Sequence, residues 1–148
     1  MYPSQNLTLM TDLYQLTMMQ GYYTYHKTSQ RVVFDLFYRE NPFHGAFAIA
    51  AGLEQAIDYI RHLSFSREDI EYLRSLGIFQ EDFLTYLENF RFTGDIDAIP
   101  EGTVVFPREP LIRVNAPIIE AQLVETTLLN LINHQSLIAT KAARVVHA

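Results

Sequence analysis

The sequence predicts an α+β fold in which helices pack against a small, mostly antiparallel sheet. Residues 31–40 and 92–114 are rich in β-branched and aromatic side chains with a period of two, which is typical of strands. Apolar residues at helical spacing predict helices before, between and after these two regions. The turns between the later strands are short, which favours antiparallel neighbours over long crossovers.

Composition limits the class of protein. The 148 residues fit one ordinary domain, and 19 % charged with 13 % aromatic residues is typical of a folded chain. The net charge of −6 argues against non-specific nucleic-acid binding, although it leaves room for a local basic pocket that holds a phosphorylated small molecule. The chain contains no cysteine and therefore no disulfide, which suits a reducing compartment, and we expect the cytoplasm.

No targeting or membrane segment is expected. The first residues lack the basic and apolar regions of a signal peptide. The longest apolar segment, from Ile118 to Ile138, is interrupted by charged and polar residues such as Glu120 and Glu125. It is therefore not expected to span a membrane.

The first helix, which contains residues 11–19, carries more apolar side chains than one buried face requires. They fall on two rows at helical spacing: Tyr14, Met18, Tyr22 and Tyr25, and beside them Leu16, Met19 and Tyr23. Because a surface helix needs only one apolar face, this helix is either buried centrally or meets another subunit. Thr11 or Asp12 is the expected N-cap, which puts Tyr14 in the first turn, where anions are favoured.

The predicted strand at 31–40 has one face that mixes Val33, Asp35, Phe37 and Arg39. It is either a face near solvent with a cross-strand ion pair, or a pocket wall in which Arg39 binds an anion. The turn at 41–45 and the short apolar run at 46–52 favour a hairpin.

The middle and end of the chain supply the remaining elements. Three amphipathic helices are predicted. The first covers residues 53–63 and the third covers residues 80–90. The second begins at Ser66 with a capping box and ends at Gly77. Short strands at 92–99, 103–106 and 111–114 predict an antiparallel meander. From Ala116-Pro117 a helical pattern that is apolar on most faces continues to the end, with a candidate break at Asn133-His134. Such a helix lies inside something larger. We therefore expect an N-terminal part of a longer protein, with a domain at 1–115 and the start of another region at 116–148.

Spacing alone identifies no reaction. No helical metal motif, glycine-rich phosphate loop or Ser/His/Asp arrangement is visible, and no metal site is expected. The histidines are dispersed along the chain: His26, His44, His62, His134 and His147. The residues themselves predict a globular domain with a candidate anion pocket.

Four blocks of sequence resemble nicotinate phosphoribosyltransferases. They are Thr11-Asp-Leu-Tyr-Gln-Leu-Thr-Met18, residues 34–53 (with Phe-Tyr-Arg-Glu-Asn-Pro-Phe), Pro100-Glu-Gly-Thr-Val-Val-Phe-Pro107, and residues 120–144 (with Ala-Thr-Lys-Ala-Ala-Arg). Occurring in this order over nearly the whole chain, they resemble the N-terminal domain of these type II phosphoribosyltransferases, followed by the first helix that leads into their α/β barrel.

This resemblance implies an enzyme of NAD salvage. The family condenses nicotinate with phosphoribosyl pyrophosphate to give nicotinate mononucleotide and pyrophosphate, and it couples this to ATP hydrolysis through a phosphorylated histidine with Mg²⁺. The resemblance also implies a homodimer with shared active sites, in which Tyr14 stacks on nicotinate in the neighbouring subunit. The phosphorylated histidine is expected downstream. We therefore expect no catalytic residue in this chain and no turnover by the chain alone.

The resemblance adds further candidate substrate-binding residues. Related quinolinate phosphoribosyltransferases have an arginine that contacts a substrate carboxylate where this chain has Thr126, which fits a substrate with one carboxylate instead of two. Thr140, Lys141 and Arg144 lie within about one helical turn, and they either meet phosphate or form a solvated helix end or a subunit contact. The remaining candidates come from the patterns above: Asp12 from the N-cap position and Arg39 from the mixed strand face.

Two alternatives to the enzyme remain open. The chain is alternatively a non-catalytic dimerisation or binding module derived from this family, which uses the aromatic first helix and the terminal helix as interfaces. A weaker alternative is a relative that uses nicotinamide or quinolinate, and Thr126 argues against quinolinate.

Overall fold

The computed structural model describes residues 6–146, which form helices and antiparallel sheets and confirm the α+β class. The helices and strands are α1 (Leu13–Thr24), β1 (Arg31–Leu36), β2 (Ala48–Ile49), α2 (Leu53–His62), α3 (Arg67–Ser75), α4 (Glu81–Glu88), β3 (Asp95–Ala98), β4 (Val104–Val105), β5 (Ile112–Pro117) and α5 (Ile118–Val146). A short 3-10 helix spans Pro42–His44. The first residues, considered above for a signal peptide, and His147 lie outside the described residues.

The strands form two antiparallel sheets. One has the order β1-β5-β3, and the other pairs β2 with β4. The predicted hairpin between the first two strands is therefore wrong, as is the meander. Ile112, Val114 and Ala116 are buried, so β5 takes the central position and pairs with β1 from far away in sequence. Between β1 and β2, Phe43 and His44 adopt positive φ and direct the chain away from a hairpin.

The junction between β5 and α5 contains no loop. Pro117 is the last residue of β5 and lies opposite Arg31, while Ile118 N donates to Gln30 O at 2.8 Å. Because the bonded pair is Ile118 with Gln30, the neighbouring position of Pro117 is a non-hydrogen-bonded one, where the missing N–H costs no ladder bond. The helix starts just after the proline and runs on without the candidate break at residues 133–134.

The long helix α5 lies at the centre of the molecule, as its apolar pattern predicts. It packs against α1, α2, β1, β2 and β5. Its buried side chains include polar ones: Glu120, Gln122, Thr127, Ser136 and Thr140. Within residues 6–146, no helix is long and apolar enough to cross a membrane. The expected boundary at residues 115–116 stays a prediction.

Local capping signals at α3 are confirmed. Ser66 Oγ accepts from Asp69 N at 3.1 Å, and Asp69 Oδ2 accepts from Ser66 N at 2.8 Å, which completes the predicted capping box. Gly77 follows the helix with a φ of 68°, the left-handed conformation that glycine adopts without strain. The start and end of α3 therefore follow from a few neighbouring residues.

We expect Ser66→Ala to lower the free energy of unfolding by about 1 kcal/mol, because the N-terminal amides of α3 lose their side-chain acceptor. The matched control is Ser75→Ala, which removes an exposed hydroxyl that donates to Tyr72 O in the last turn of α3. The control should change stability by less than about 0.5 kcal/mol. Urea unfolding followed by circular dichroism measures both, and equal losses would contradict the role given to the cap.

Candidate functional site

The start of α1 presents an aromatic side chain to solvent. Tyr14 is 54 % exposed and Met18 is 41 % exposed, whereas Leu16 and Met19 are buried in the core. In this chain, α1 is therefore not buried centrally. Its second apolar face lies open around Tyr14, and the alternative, that this face meets another subunit, stays a prediction.

A polar network lies directly behind Tyr14. The side chain of Gln15 is completely buried, and its Nε2 donates to Tyr14 Oη at 3.0 Å and to Glu125 Oε2 at 3.1 Å. Two residues after Glu125, Thr127 Oγ1 donates to Met10 O at 2.7 Å. The middle of α5 therefore holds the start of α1 through side-chain hydrogen bonds.

Asp12 occupies the N-cap position of α1, but its carboxylate does not cap the helix. Asp12 Oδ2 instead accepts a hydrogen bond from Thr126 Oγ1 at 3.1 Å. Asp12 therefore takes the predicted N-cap position, but its carboxylate does not accept from the first amides of α1. The carboxylate accepts from Thr126 on α5 instead. The structure thus brings together three of the predicted residues, Asp12, Tyr14 and Thr126.

Sequence reasoning missed Gln15 and Glu125. The available signal was weak: each is a polar residue surrounded by the apolar residues of a helix. Their contact joins positions that are 110 residues apart, so no local pattern indicates it.

An open groove of about 420 Å³ lies between β1 and α5, beside this network. Its lining is mostly apolar and includes Val33, Phe34, Leu36, Val124, Leu128 and Leu129. Glu125 also lines the groove and so connects it to Gln15 and Tyr14. A mostly apolar lining with a few polar groups is typical of small-molecule sites.

The mixed face of β1 forms a cross-strand ion pair, which confirms the first of the two interpretations for Asp35. Its carboxylate accepts two hydrogen bonds from Arg113 on β5, at 2.7 and 2.9 Å. The Arg113 guanidinium lowers the pKa of Asp35 through these hydrogen bonds. Arg39 takes no part, because β1 ends at Leu36 and not at residue 40, and Arg39 lies exposed beyond it.

The last turns of α5 hold a second group of predicted residues. Thr140 is completely buried; its Oγ1 accepts from Ile49 N at 2.9 Å and donates to Ser136 O at 2.6 Å. Ser136 Oγ likewise bonds the backbone of Ala51. The two hydroxyls fasten β2 and the residues after it to α5. The hydroxyl of Thr140 is already bonded to Ile49 N and to Ser136 O.

Arg144 lies on the same face of α5 and covers the loop after β1. Its Nη1 donates to Phe43 O at 3.2 Å, and its guanidinium carbon lies 5.4 Å from the centre of the Phe43 ring. A side chain at Gly45 would overlap the guanidinium. Arg144 is thus held in place by the loop, whereas Lys141, one turn earlier, is exposed.

The backbone of Arg108 also lies near this loop. Arg108 N donates to Tyr38 O at 2.9 Å, which puts Arg108 next to Arg39, and Tyr38 Oη donates to Asn41 Oδ1 at 2.9 Å, which joins them to the loop that Arg144 covers. Within residues 6–146, neither Arg39, Arg108, Lys141 nor Arg144 forms an ion pair with a carboxylate. These four cations are the candidates for the local basic pocket, although Glu40 and Glu109 are next to Arg39 and Arg108 in sequence.

The described part of the chain holds no group of three or more His, Asp or Glu side chains placed to bind a metal ion.

We expect Thr140→Val to lower the free energy of unfolding by about 1–3 kcal/mol, because Ile49 N loses its acceptor inside the protein. Thr85→Val is the matched control: Thr85 makes the same bond to a carbonyl one turn earlier, that of Glu81, but it is exposed and accepts from no other segment. The control should shift stability by less than about 0.5 kcal/mol. A neutral Thr140→Val in urea unfolding would refute the fastening role.

Comparison with known proteins places this geometry in context. The model of the nicotinate phosphoribosyltransferase (NAPRTase) N-terminal domain matches residues 9–133. The nicotinate phosphoribosyltransferase pncB2 of Mycobacterium tuberculosis is 49 % identical over 140 residues, which are 95 % of this chain and 30 % of that protein. The nicotinate phosphoribosyltransferase of Bacillus subtilis is 44 % identical over 144 residues, 97 % of this chain and 29 % of that protein. The chain thus spans less than a third of these relatives.

Solved structures show the same architecture. The crystal structure of human nicotinic acid phosphoribosyltransferase superposes with a TM-score of 0.84 and 39 % identity, over 90 % of this chain and 27 % of that one. A nicotinate-nucleotide pyrophosphorylase from Pyrococcus furiosus gives a TM-score of 0.62 at 16 % identity, over 89 % of this chain and 27 % of that one, which shows a common fold alone.

Proposed function

This chain belongs to the nicotinate phosphoribosyltransferase N-terminal domain family, and from that premise we propose that the full-length protein makes nicotinate mononucleotide. It joins nicotinate to phosphoribosyl pyrophosphate, releases pyrophosphate and couples this to ATP hydrolysis with Mg²⁺ in NAD salvage. The observation that carries the proposal is Tyr14, an exposed aromatic ring held from behind by a buried network. The names of its relatives in Mycobacterium tuberculosis and Bacillus subtilis support it.

Tyr14 is proposed to stack on the pyridine ring of nicotinate in the neighbouring subunit of a homodimer. A flat ring with a polar tip favours such stacking, since its face stays free while its hydroxyl is bonded to its own domain. The apolar side chains of Leu13 and Met18 lie exposed on the same helix. An exposed apolar patch of this kind is typical of a surface that a partner covers.

Asp12 and Thr126 are proposed to lie at the edge of the same site. Thr126 carries no charge, and its hydroxyl is bonded to Asp12. This position therefore offers no cation to a second substrate carboxylate. Its chemistry favours nicotinate, with one carboxylate, over quinolinate, with two.

Arg39, Lys141 and Arg144 are proposed to bind phosphate groups of the substrates, with Arg108 beside them. Guanidinium groups present a fork that matches phosphate oxygens, and the ammonium group of Lys141 acts as a point charge. Thr140, whose hydroxyl is used in packing, serves this surface by fixing the turn of α5 that carries Arg144. The alternative use of this surface is a contact between subunits.

The described residues bind and orient, and no catalytic residue is proposed among them. Their carboxylates and histidines form no cluster for Mg²⁺, so they do not fit that ion. The phosphorylated histidine, the groups that hold Mg²⁺ and ATP, and the barrel are proposed to lie in the remainder of the full-length protein, with the boundary at residues 115–116. We propose the cytoplasm as its location.

The second candidate function is a non-catalytic dimerisation or binding module. The open apolar face at the start of α1 favours it, and so do Leu137 and Ile138, which are exposed on α5. The two functions differ in whether the full-length protein turns over substrate.

We expect the full-length protein to form nicotinate mononucleotide from nicotinate, phosphoribosyl pyrophosphate and ATP. Tyr14→Ala should raise KM for nicotinate about 5- to 150-fold, because stacking of an aromatic ring on a base is worth about 1–3 kcal/mol. The control is Tyr25→Ala, which removes an even more exposed tyrosine just after α1. Steady-state kinetics with chromatographic detection of the product measures both. A Tyr14→Ala variant with normal nicotinate KM would refute the role of the ring.

We expect the 148-residue chain alone to give no turnover with the same three substrates, since no catalytic residue is proposed within it. The measurement is the same product assay on the purified chain, with the full-length protein as the positive control. Nicotinate mononucleotide formed by the purified chain would contradict the assignment of the chemistry to the remaining residues.

A further inference from the structure

We infer that Gln15 is a positioning residue, which together with Glu125 sets the orientation of the Tyr14 ring and thereby the affinity for nicotinate. This inference rests on the proposed function. Gln15 itself is completely buried and cannot touch a substrate. Its effect on nicotinate binding is therefore indirect, through Tyr14.

The position of Gln15 in the helix makes its contact with Tyr14 informative. Side chains of adjacent helical residues point in different directions and do not normally face each other. Here Gln15 Nε2 nevertheless lies 3.0 Å from Tyr14 Oη, so the phenol leans back towards the buried side of α1. The ring of Tyr14 is therefore anchored at its tip while the side chain remains 54 % exposed.

Glu125 fixes which way the Gln15 amide points. A carboxylate only accepts hydrogen bonds, so the NH₂ group of Gln15 must face Glu125 Oε2, which lies 3.1 Å away. The second hydrogen of the same nitrogen is then directed to Tyr14 Oη. The charge of Glu125 on α5 therefore fixes the direction of both hydrogen bonds: Gln15 donates to Glu125 and to Tyr14.

This arrangement is not the one that stability alone would favour. Gln15 Oε1 is buried and has no hydrogen-bond partner among the described residues. An unpaired buried acceptor costs free energy, whereas an apolar side chain of similar size would fill the same space without that cost. A buried polar group that is only partly satisfied calls for a functional explanation, and holding Tyr14 provides one.

The test uses the full-length protein and four variants: Gln15→Leu, Tyr14→Phe, the double variant, and Thr127→Val. We expect Gln15→Leu to raise KM for nicotinate about 3- to 10-fold, with kcat and KM for phosphoribosyl pyrophosphate within about twofold of wild type. Tyr14→Phe should do the same. The double variant should be no worse than the stronger single one, since both remove the same contact.

Thr127→Val is the structural control. It removes the hydroxyl that bonds Met10 O at the same junction but does not touch Tyr14. It should lower the melting temperature and leave the nicotinate KM unchanged. The inference is overturned if Gln15→Leu leaves the nicotinate KM unchanged, if the two single effects multiply in the double variant, or if Thr127→Val raises KM as much as Gln15→Leu.

Glu125 supplies a second route if Gln15→Leu does not fold. Glu125→Gln keeps an oxygen that accepts from Gln15 and should retain the wild-type nicotinate KM, whereas Glu125→Leu should reproduce the 3- to 10-fold rise. Equal KM values for these two variants would overturn the inference. A wild-type full-length protein that makes no nicotinate mononucleotide would instead refute the proposed function and the inference with it, so the two failures are distinguishable.

Discussion

The domain depends on one constraint: the buried helix α5 must find partners for its own polar side chains. Several of them bond the backbone of the segments around the helix. Glu120 accepts from Thr93 N, Thr127 donates to Met10 O, and Thr140 accepts from Ile49 N. Each bond pairs two groups that would be costly to bury without a partner. Burial of α5 therefore also fixes the positions of the segments that it bonds.

The same helix separates the two candidate binding surfaces. Glu125 supports Tyr14, and Arg144 covers the loop after β1. At about 1.5 Å per residue, the 19 residues between positions 125 and 144 put these points roughly 28 Å apart. The two candidate surfaces therefore lie at separate places along the helix.

Local chemistry made the helices, the capping box of α3 and the α+β class predictable from the sequence. The pairing of β1 with β5 was not, because short loops favour neighbours in sequence whereas burial of Val114 decides which strand is central. The surplus of apolar side chains singled out the helix α1, whereas the role of Tyr14 came only from the resemblance to nicotinate phosphoribosyltransferases and stays a prediction. Gln15 was missed, since the reason for a buried glutamine lies 110 residues away.

Among the cations proposed to meet phosphate, geometry favours Arg144 as the strongest contributor. The guanidinium has five donors, and the hydrogen bond to Phe43 O uses one of them, so most of its donors remain for a ligand. The Phe43 ring and the glycine beneath it hold the group in one place. Lys141 is exposed and would lose side-chain freedom on binding. An arginine already held by its own fold does not lose that entropy, and the loop with positive φ at Phe43 is what holds it.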